Sequence, residues 1–402
     1  MKERLCDGNL LYEAYRESIK SSKWKSSVHK YNVDVLMNLS EILEKMESGT
    51  YKTGKRSAFL LNERGKTRAI YGNTIEDRVI RHVLCDDILE KELLKYLIYD
   101  NGASQEGKGV SFARERLKCH LQRYYRKHGN KGYVLLIDYS KYYDNIRHDV
   151  AYNQIADKIS DPDVLQLLAT ILDGMKVDVS FLTDRQYAVC MDHKFDSVKY
   201  HCIPSEKMTG EKFMRKSISI GDQTSQVIGI LYPYQIDNYC KIVRGMKYYG
   251  RYMDDTYIIS DSKEELWSVL DGVREWCNKL GIFINEKKTQ ICRIDRPFHF
   301  LQNSYFLTDT GKVVEKINKK RLKRMRDHLK GLRRKYDSGE VPLKDIENIY
   351  KSWIGSCHNI MSRIQIENMN ALYCSLFNEP IAKERRNERE NVQDHPGGRY
   401  SN

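Results

Sequence analysis

Two adjacent carboxylates, Asp254 and Asp255, stand in the run Tyr252-Met253-Asp254-Asp255 of this 402-residue chain. Lys247 to Arg251 precedes them and Thr256 to Ser260 follows, both rich in β-forming residues, so the pattern predicts a hairpin with the acidic pair at its tip. At about 4 Å and an effective dielectric near 20, two such charges repel by roughly 4 kcal/mol. A divalent cation removes that repulsion, and paired carboxylates hold such ions where phosphoryl groups are transferred. On spacing alone a solvated turn is the alternative. A third carboxylate, Asp138, ends the continuous apolar run Gly132 to Ile137, as expected of a strand buried on both faces. Alone it has a helix N-cap as its lesser alternative. A strand delivering one Asp beside a hairpin delivering two is the arrangement of a two-metal site, in which an attacking hydroxyl is activated and a leaving pyrophosphate neutralised.

The elements that must position these groups come in a recognisable order. Asp138 to Asp144, Ile220 to Gln226 and Tyr252 to Asp255 form three motifs; Leu280-Gly281-Ile282 with Asn285 to Thr289 forms a fourth, and Phe298 to Leu301 a fifth. Upstream lie Lys66 to Ile70, Asp77 to Ile80 and Asn101 to Gln105. Taken in this order, over about residues 50 to 310, the chain resembles reverse transcriptases. The resemblance implies an α+β right-hand polymerase fold with fingers, a palm built on an antiparallel sheet and a helical thumb. It implies Asp138, Asp254 and Asp255 as the ligands of two Mg²⁺ ions. Lys288 resembles the lysine that protonates the departing pyrophosphate, with Lys287 as a neighbouring rival. Lys66 and Arg68, on an expected hairpin turning at Glu63-Arg64-Gly65, would grip the incoming triphosphate, Arg68 as a bidentate clamp. Arg78 either joins them or only holds the fingers together. Tyr143 falls where the family places a bulky ring against C2′ of the nucleotide, which favours deoxynucleotides; the alternative is a core aromatic, and Tyr142 beside it competes for the register. Gly221, Ser225 and Gln226 would shape the nascent base-pair pocket. Tyr252, Met253 and Phe300, the last in the primer grip, would touch nucleic acid.

The second motif departs from the common Gln-Gly start and Ser-Pro end, reading Ile220-Gly221 and Ser225-Gln226. That variant is similar to bacterial enzymes of group II intron-like lineage, namely those of diversity-generating retroelements and of phage defence. Thr224 or Ser225 is expected to cap the following helix, Val227, Ile230, Leu231 and Tyr234 to form its core face, and Pro233 to kink it.

Composition sets limits. A net charge of +13 and a pI near 9.0 point to a polyanionic partner. Lys312 to Lys335 is read as one amphipathic basic helix in the thumb, with Leu322, Met325, Leu329 and Leu332 on its apolar side. Its other side carries Lys316, Lys319, Lys320, Lys323 and Arg324 for phosphate contact, or simply for solvation. Lys118 to Lys131 interleaves Tyr124 and Tyr125 with cations, suiting base stacking or an ordinary surface helix with buried tyrosines. No apolar stretch approaches 18 residues and Met1 to Lys20 lacks a signal profile, so a cytoplasmic enzyme with no membrane partner is expected. The ten cysteines form no C-x-x-C pair and read as reduced core residues.

The expected organisation is a helical extension over 1–50, fingers over 51–130, palm over 131–311, thumb over 312–380 and a disordered tail over 381–402. An insert of about 150–218 interrupts the palm, its stretch Asp192 to Lys216 polar and partly flexible. No DNA-binding or endonuclease domain is expected after the thumb. Expected partners are an RNA template and a DNA or RNA primer, with a dedicated noncoding RNA, an accessory protein or a second copy also in view. Three roles fit: an antiphage enzyme copying a dedicated noncoding RNA or extending DNA untemplated, a diversity-generating enzyme with an accessory protein, or a non-catalytic RNA-binding scaffold.

Overall fold

A computed structural model describes residues 2–63 and 65–378. The expected tail and Arg64 of the first turn lie outside them. The chain divides into two compact units, one holding residues up to Leu301 with Tyr305–Val314, the other Gln302–Ser304 with the residues from Glu315 on.

In the first unit, helices Lys2–Leu5, Gly8–Ile19, Ser26–Val33 and Val35–Glu47 come first. Asp7 caps the second of these by accepting from the backbone N–H groups of Asn9 and Leu10, and its stripe Leu11, Ala14, Tyr15 and Ile19 is buried. It packs on the helix Ile75–His82. Arg78 of that helix donates to Ser18 O at 3.0 Å, so it ties this helix to the N-terminal helices. The hairpin of β1 (Ser57–Glu63) and β2 (Lys66–Gly72) closes on the pair Glu63↔Lys66.

The central sheet explains the apolar run. Strand β3 (Tyr133–Ile137) is the third of four in the order β6 (Tyr248–Tyr252), β7 (Asp255–Ser260), β3, β8 (Gln290–Arg293), so both its edges are paired and its residues are buried almost throughout. Between it and β6 lie the short antiparallel pair β4 (Val177–Asp178) and β5 (Phe213–Met214). Strands β6 (Tyr248–Tyr252) and β7 (Asp255–Ser260) form the expected hairpin, and β8 (Gln290–Arg293) covers the far edge of β3. A second sheet takes β9 (Phe298–Phe300), β10 (Asn303–Leu307) and β11 (Val313–Ile317) in the order β11-β10-β9.

Several expectations need correction. The basic run 312–335 is not one helix: β11 occupies its start and Asn318 caps a helix over Lys319–Asp337, so Lys316 is a strand residue. Within that helix Leu322, Met325, Leu329 and Leu332 are buried, and with the helices Leu343–Gly355 and Arg363–Phe377 they build the core of the second unit. After the second motif it is Asp222, not Thr224 or Ser225, that caps the helix Gln223–Leu231, accepting from Ser225 N at 3.3 Å. That helix is buried on nearly all sides rather than on one face, Thr224, Ser225 and Ile228 included. Pro233 ends the run, and Tyr234–Asn238 restarts beyond it. The stretch Asp192 to Lys216 is folded, with Phe195, Ser197, Met214 and Lys216 buried. The Lys216 ammonium donates to the carbonyls of Cys190, Met191 and His193, which lie at or beside the C-terminal end of the helix Asp184–Asp192. Tyr124 is buried, and Tyr125 donates to Asp309 O at 2.7 Å, so both rings serve structure, while Arg123, Arg126 and Lys127 are exposed. The cysteines are free thiols; Cys85, Cys240, Cys277 and Cys357 are core residues, whereas Cys202 is exposed. Among the described residues, no helix is long and apolar enough to cross a membrane.

One consequence is a pH-dependent stability. His148 is buried, with Nε2 donating to Ser217 O at 2.7 Å and Nδ1 without a partner. Burial pulls its pKa down to about 4 from the ordinary 6.5. A depressed folded pKa means that the unfolded chain takes up the proton first, so this stability is complete above pH 6.5 and is lost as pH falls toward 4. Between pH 7 and 5 wild type should lose about 2 kcal/mol more than His148→Gln, read as the difference in urea-unfolding free energies. Equal losses would show that the site accommodates imidazolium.

Candidate active site

The pairing of β3 with β7 places Ile137 opposite Thr256, so Asp138, just past the end of β3, lies beside Asp255 at the start of β7. The β6–β7 hairpin closes on Tyr252↔Asp255, leaving Met253 and Asp254 as its two-residue turn, with Met253 in the left-handed region at φ 53°. Asp138 is held from the opposite side by the turn after the helix Lys263–Leu280: Asn285 Nδ2 donates to it at 2.9 Å, and Lys288 Nζ lies 2.9 Å from both of its oxygens. Lys287 makes no such contact, so of the two lysines it is Lys288 that reaches the carboxylates.

The three charges feel one another. Burial, and then the charges of Asp254 and Asp138, push the Asp255 carboxyl up to about 7, against the pull of Lys288 and Lys66. Asp254 is raised as well, mainly by burial. Such a set stores repulsion that positive charge relieves, and its all-carboxylate oxygen donors match hard divalent ions. Among the described residues no three acidic, histidine or cysteine side chains already converge at metal-ligand spacing. The donor chemistry fits a divalent ion, while the ammonium of Lys288 holds Asp138.

A residue that sequence reasoning missed fixes the turn. Arg251 is 1% exposed and donates through Nε and Nη2 to both oxygens of Asp237, itself 1% exposed, at 2.7 to 3.1 Å. The same guanidinium donates to Ile230 O at 2.7 Å and to Met253 O at 3.1 Å. One side chain thereby links β6, the second-motif helix and the carbonyl that precedes Asp254. A charged residue inside a buried strand requires such a partner, and that was the available signal.

The two tyrosines separate cleanly. Tyr142 is core, donating to Gly229 O at 2.7 Å. Tyr143 faces the site: its hydroxyl lies 4.0 Å from Met253 Sδ, and the charges of Asp254 and Asp222 reach it. A β-carbon at Gly229 would stand 3.0 Å from that hydroxyl, so the glycine makes room for the ring. Gly221 has φ 90° with open space around it, as a close backbone approach requires. Gln226 is half-buried. Ser225 is fully buried and turned onto Met175 Sδ at 3.8 Å, so its side chain does not face the pocket. Asp222 is engaged by Arg81 and by Asn73 Nδ2. Lys66 lies within electrostatic reach of Asp254 and Asp255, whereas Arg68 is ion-paired with Glu63 at 2.5 Å. Tyr252 packs at the rim of the core beneath the sheet. Phe300 does too, 4% exposed and edge-on to Tyr257, so it cannot offer its ring to a primer; the exposed side chain of β9 is His299. Lys316, Lys319, Lys320, Lys323 and Arg324 are exposed on the second unit.

Comparison with curated proteins finds no match. Among solved structures, the chain is similar to the apo telomerase of Candida tropicalis, with 12% identity, a TM-score of 0.47, and coverage of 84% of this chain and 67% of that one. It is also similar to the telomerase of Candida albicans in complex with a fragment of telomeric RNA, at 11% identity and TM-score 0.43, over 80% of this chain and 59% of that one. The family model described as reverse transcriptase (RNA-dependent DNA polymerase) matches residues 54–302, well over half of the chain. That span contains the four-stranded sheet, the acidic hairpin and every group around Asp138, and the chain belongs to the reverse transcriptase family, RNA-directed DNA polymerases of right-hand fold.

Proposed function

We propose that this reverse transcriptase adds deoxynucleotides to a primer on an RNA template by two-metal phosphoryl transfer, and that it belongs to the group II intron-like bacterial lineage. The observation that supports the mechanism is the placement of Asp138, Asp254 and Asp255 at the same end of the sheet, close enough that burial and its neighbours' charge push Asp255 to about 7. These three carboxylates would hold two Mg²⁺ ions, whose chemistry is to lower the pKa of the primer hydroxyl and to screen the leaving pyrophosphate. Lys66 supplies positive charge for the triphosphate from β2. Arg68, now paired with Glu63, exchanges that partner for phosphate oxygens, which its planar fork matches as well as it does a carboxylate. Lys288, with a half-exposed side chain, delivers a proton from Nζ to the departing pyrophosphate. Tyr143 stands against C2′ of the nucleotide and rejects a 2′-hydroxyl. Gly221 and Gln226 border the nascent base pair, Tyr252 and Met253 face the primer end, and the exposed cations of Lys319–Asp337 track phosphates as a thumb. Residues 51–130 then serve as fingers and 131–311 as palm.

For the biological role we favour copying of a dedicated noncoding RNA in antiphage defence; the Ile220-Gly221…Ser225-Gln226 variant resembles that of such enzymes and equally that of diversity-generating enzymes, so the experiment decides between the two. Sequencing the nucleic acid that copurifies with the protein, beside an Asp254→Ala/Asp255→Ala control, tests both levels. A defined RNA with complementary DNA that disappears in the control is the expected result. DNA matching a repeat of a variable target gene would move the role to diversity generation, and DNA matching no RNA would point to untemplated extension. No carboxylate-dependent DNA would overturn the catalytic reading in favour of a scaffold.

A further inference from the structure

The insert meets the catalytic loop along three consecutive residues, Phe195 to Ser197. Ser197 donates to Asp144 twice, from Oγ at 2.7 Å and from its backbone N at 3.1 Å. Asn145 pairs with the backbone of Phe195 in both directions: Phe195 N donates to its Oδ1 at 2.8 Å, and its Nδ2 donates to Phe195 O at 3.3 Å. Lys141 is ion-paired with Asp196 at 2.9 Å. Phe195, Ser197, Asp144 and Asn145 are all buried, so these bonds are shielded from water.

Both ends of this contact are anchored. Asp196 caps the helix Ser197–His201, which packs on β1 and β2. On its other side the insert is pinned by the buried Lys216 ammonium on the carbonyls of Cys190, Met191 and His193. The loop it grips is irregular, with Lys141 at φ 49° and a single 3₁₀ turn over Tyr143–Asn145. Tyr143 sits inside that turn, immediately before Asp144. Gly229 and Met253 bound its ring on one side, and its backbone is held from the far end of the insert, where Ile218 N donates to Tyr143 O at 3.0 Å. Selection against one hydroxyl depends on ring placement to a fraction of an ångström, which a loop attains only through supporting hydrogen bonds.

We propose that Phe195, Asp196 and Ser197 are positioning residues that set the sugar specificity of the site, holding the Tyr143 loop where its ring excludes ribonucleotides. The proposal rests on Tyr143 being the group that contacts the sugar. The insert is thereby part of the selectivity apparatus, and it joins that loop to the β1–β2 hairpin bearing Lys66 and Arg68.

Single-nucleotide insertion kinetics on the full chain, with a deoxynucleotide and its ribonucleotide counterpart, test it through the ratio of their kcat/KM values. Tyr143→Ala should lower the preference about a hundredfold. Ser197→Ala should lower it about tenfold, the scale of one lost buried hydrogen bond, and Ser197→Thr, which keeps the hydroxyl, should restore it. If Ser197→Ala does not fold, Lys141→Ala, at the exposed edge of the contact, is expected to give about a threefold loss at unchanged Tm. A preference relaxed by Tyr143→Ala but within twofold of wild type in Ser197→Ala and Lys141→Ala overturns the positioning role and leaves the tyrosine reading intact. A preference that Tyr143→Ala does not move overturns the tyrosine reading, and the clamp with it.

Discussion

Replacing Asp255 by Asn is expected to abolish DNA synthesis while leaving the protein at least as stable as before. The loss should be on the order of 10³-fold, the scale that follows removal of one preorganised electrostatic group at a reacting centre. The stability expectation has a separate cause. Asp255 is pushed to about 7 by burial and by its two acidic neighbours, so its ionised form is unfavourable in the folded chain and less so in the unfolded one. Asparagine keeps the shape, keeps the strand pair with Tyr252 and removes the charge. Measured without divalent ions at pH 8, Tm should hold or rise, the pattern of a site where function is kept at the expense of stability. A Tm several degrees lower would show that the carboxylate contributes to folding and that its crowding is not strained. Retention of a tenth or more of the synthesis rate would remove Asp255 from the reacting centre.

Arg251→Met should destabilise the chain by about 3–5 kcal/mol. Truncating one partner of a buried ion pair leaves the other charge uncompensated, and Asp237 has no water to turn to. The double variant Arg251→Met/Asp237→Leu should recover part of that loss, because an apolar pair replaces two buried charges, while the buried Tyr249 hydroxyl, which donates to Asp237, loses its acceptor. Activity should not return with it. The guanidinium also donates to Met253 O, and no apolar side chain can hold the carbonyl that sets the position of Asp254. Chemical denaturation and primer extension on the single and double variants separate the two effects. Recovery of both together would reduce Arg251 to a packing residue. Recovery of neither would mean that the ion pair specifies the local fold.

How much of this was legible in the residues follows from the range of the interactions. The hairpins 57–72 and 248–260 and the buried strand 133–137 were readable because alternation, turn residues and apolar runs act between near neighbours. The acidic trio was readable because adjacent carboxylates are costly enough to need a reason. Asp237, by contrast, carries no local mark that it lies under Arg251, since it stands on the helix Tyr234–Asn238 and its partner on β6, 14 positions along the chain. The insert looked polar and loose because its burial is built from isolated side chains, Phe195, Met214 and Lys216, rather than from a periodic stripe. Phe300 was misassigned for a related reason. A strand of three residues offers two rings to one face, and only the neighbouring sheet decides that this face points inward. The long basic run was misjudged at its start because charge density says nothing of whether Val313 and Val314 extend or coil; being β-branched, they extend.

The sheet order carries a consequence for biogenesis. Strand β3 lies inside the sheet, yet it leaves the ribosome before both strands that flank it, since β7 begins at Asp255 and β8 at Gln290. Asp138 waits nearly as long, for Lys288 is 150 residues downstream. At about 5–20 residues per second, that interval is roughly 8 to 30 s in which an apolar strand and a bare carboxylate hang on a nascent chain. The helix Val110–His128, translated before β3, shares a buried cluster with Val134 and Leu136 and can shelter one face, and the helices and insert translated in between add to that shelter during the interval. An enzyme made this way acquires its catalytic competence late and all at once, and slowed translation between codons 138 and 290 should cost yield of soluble protein before it costs specific activity.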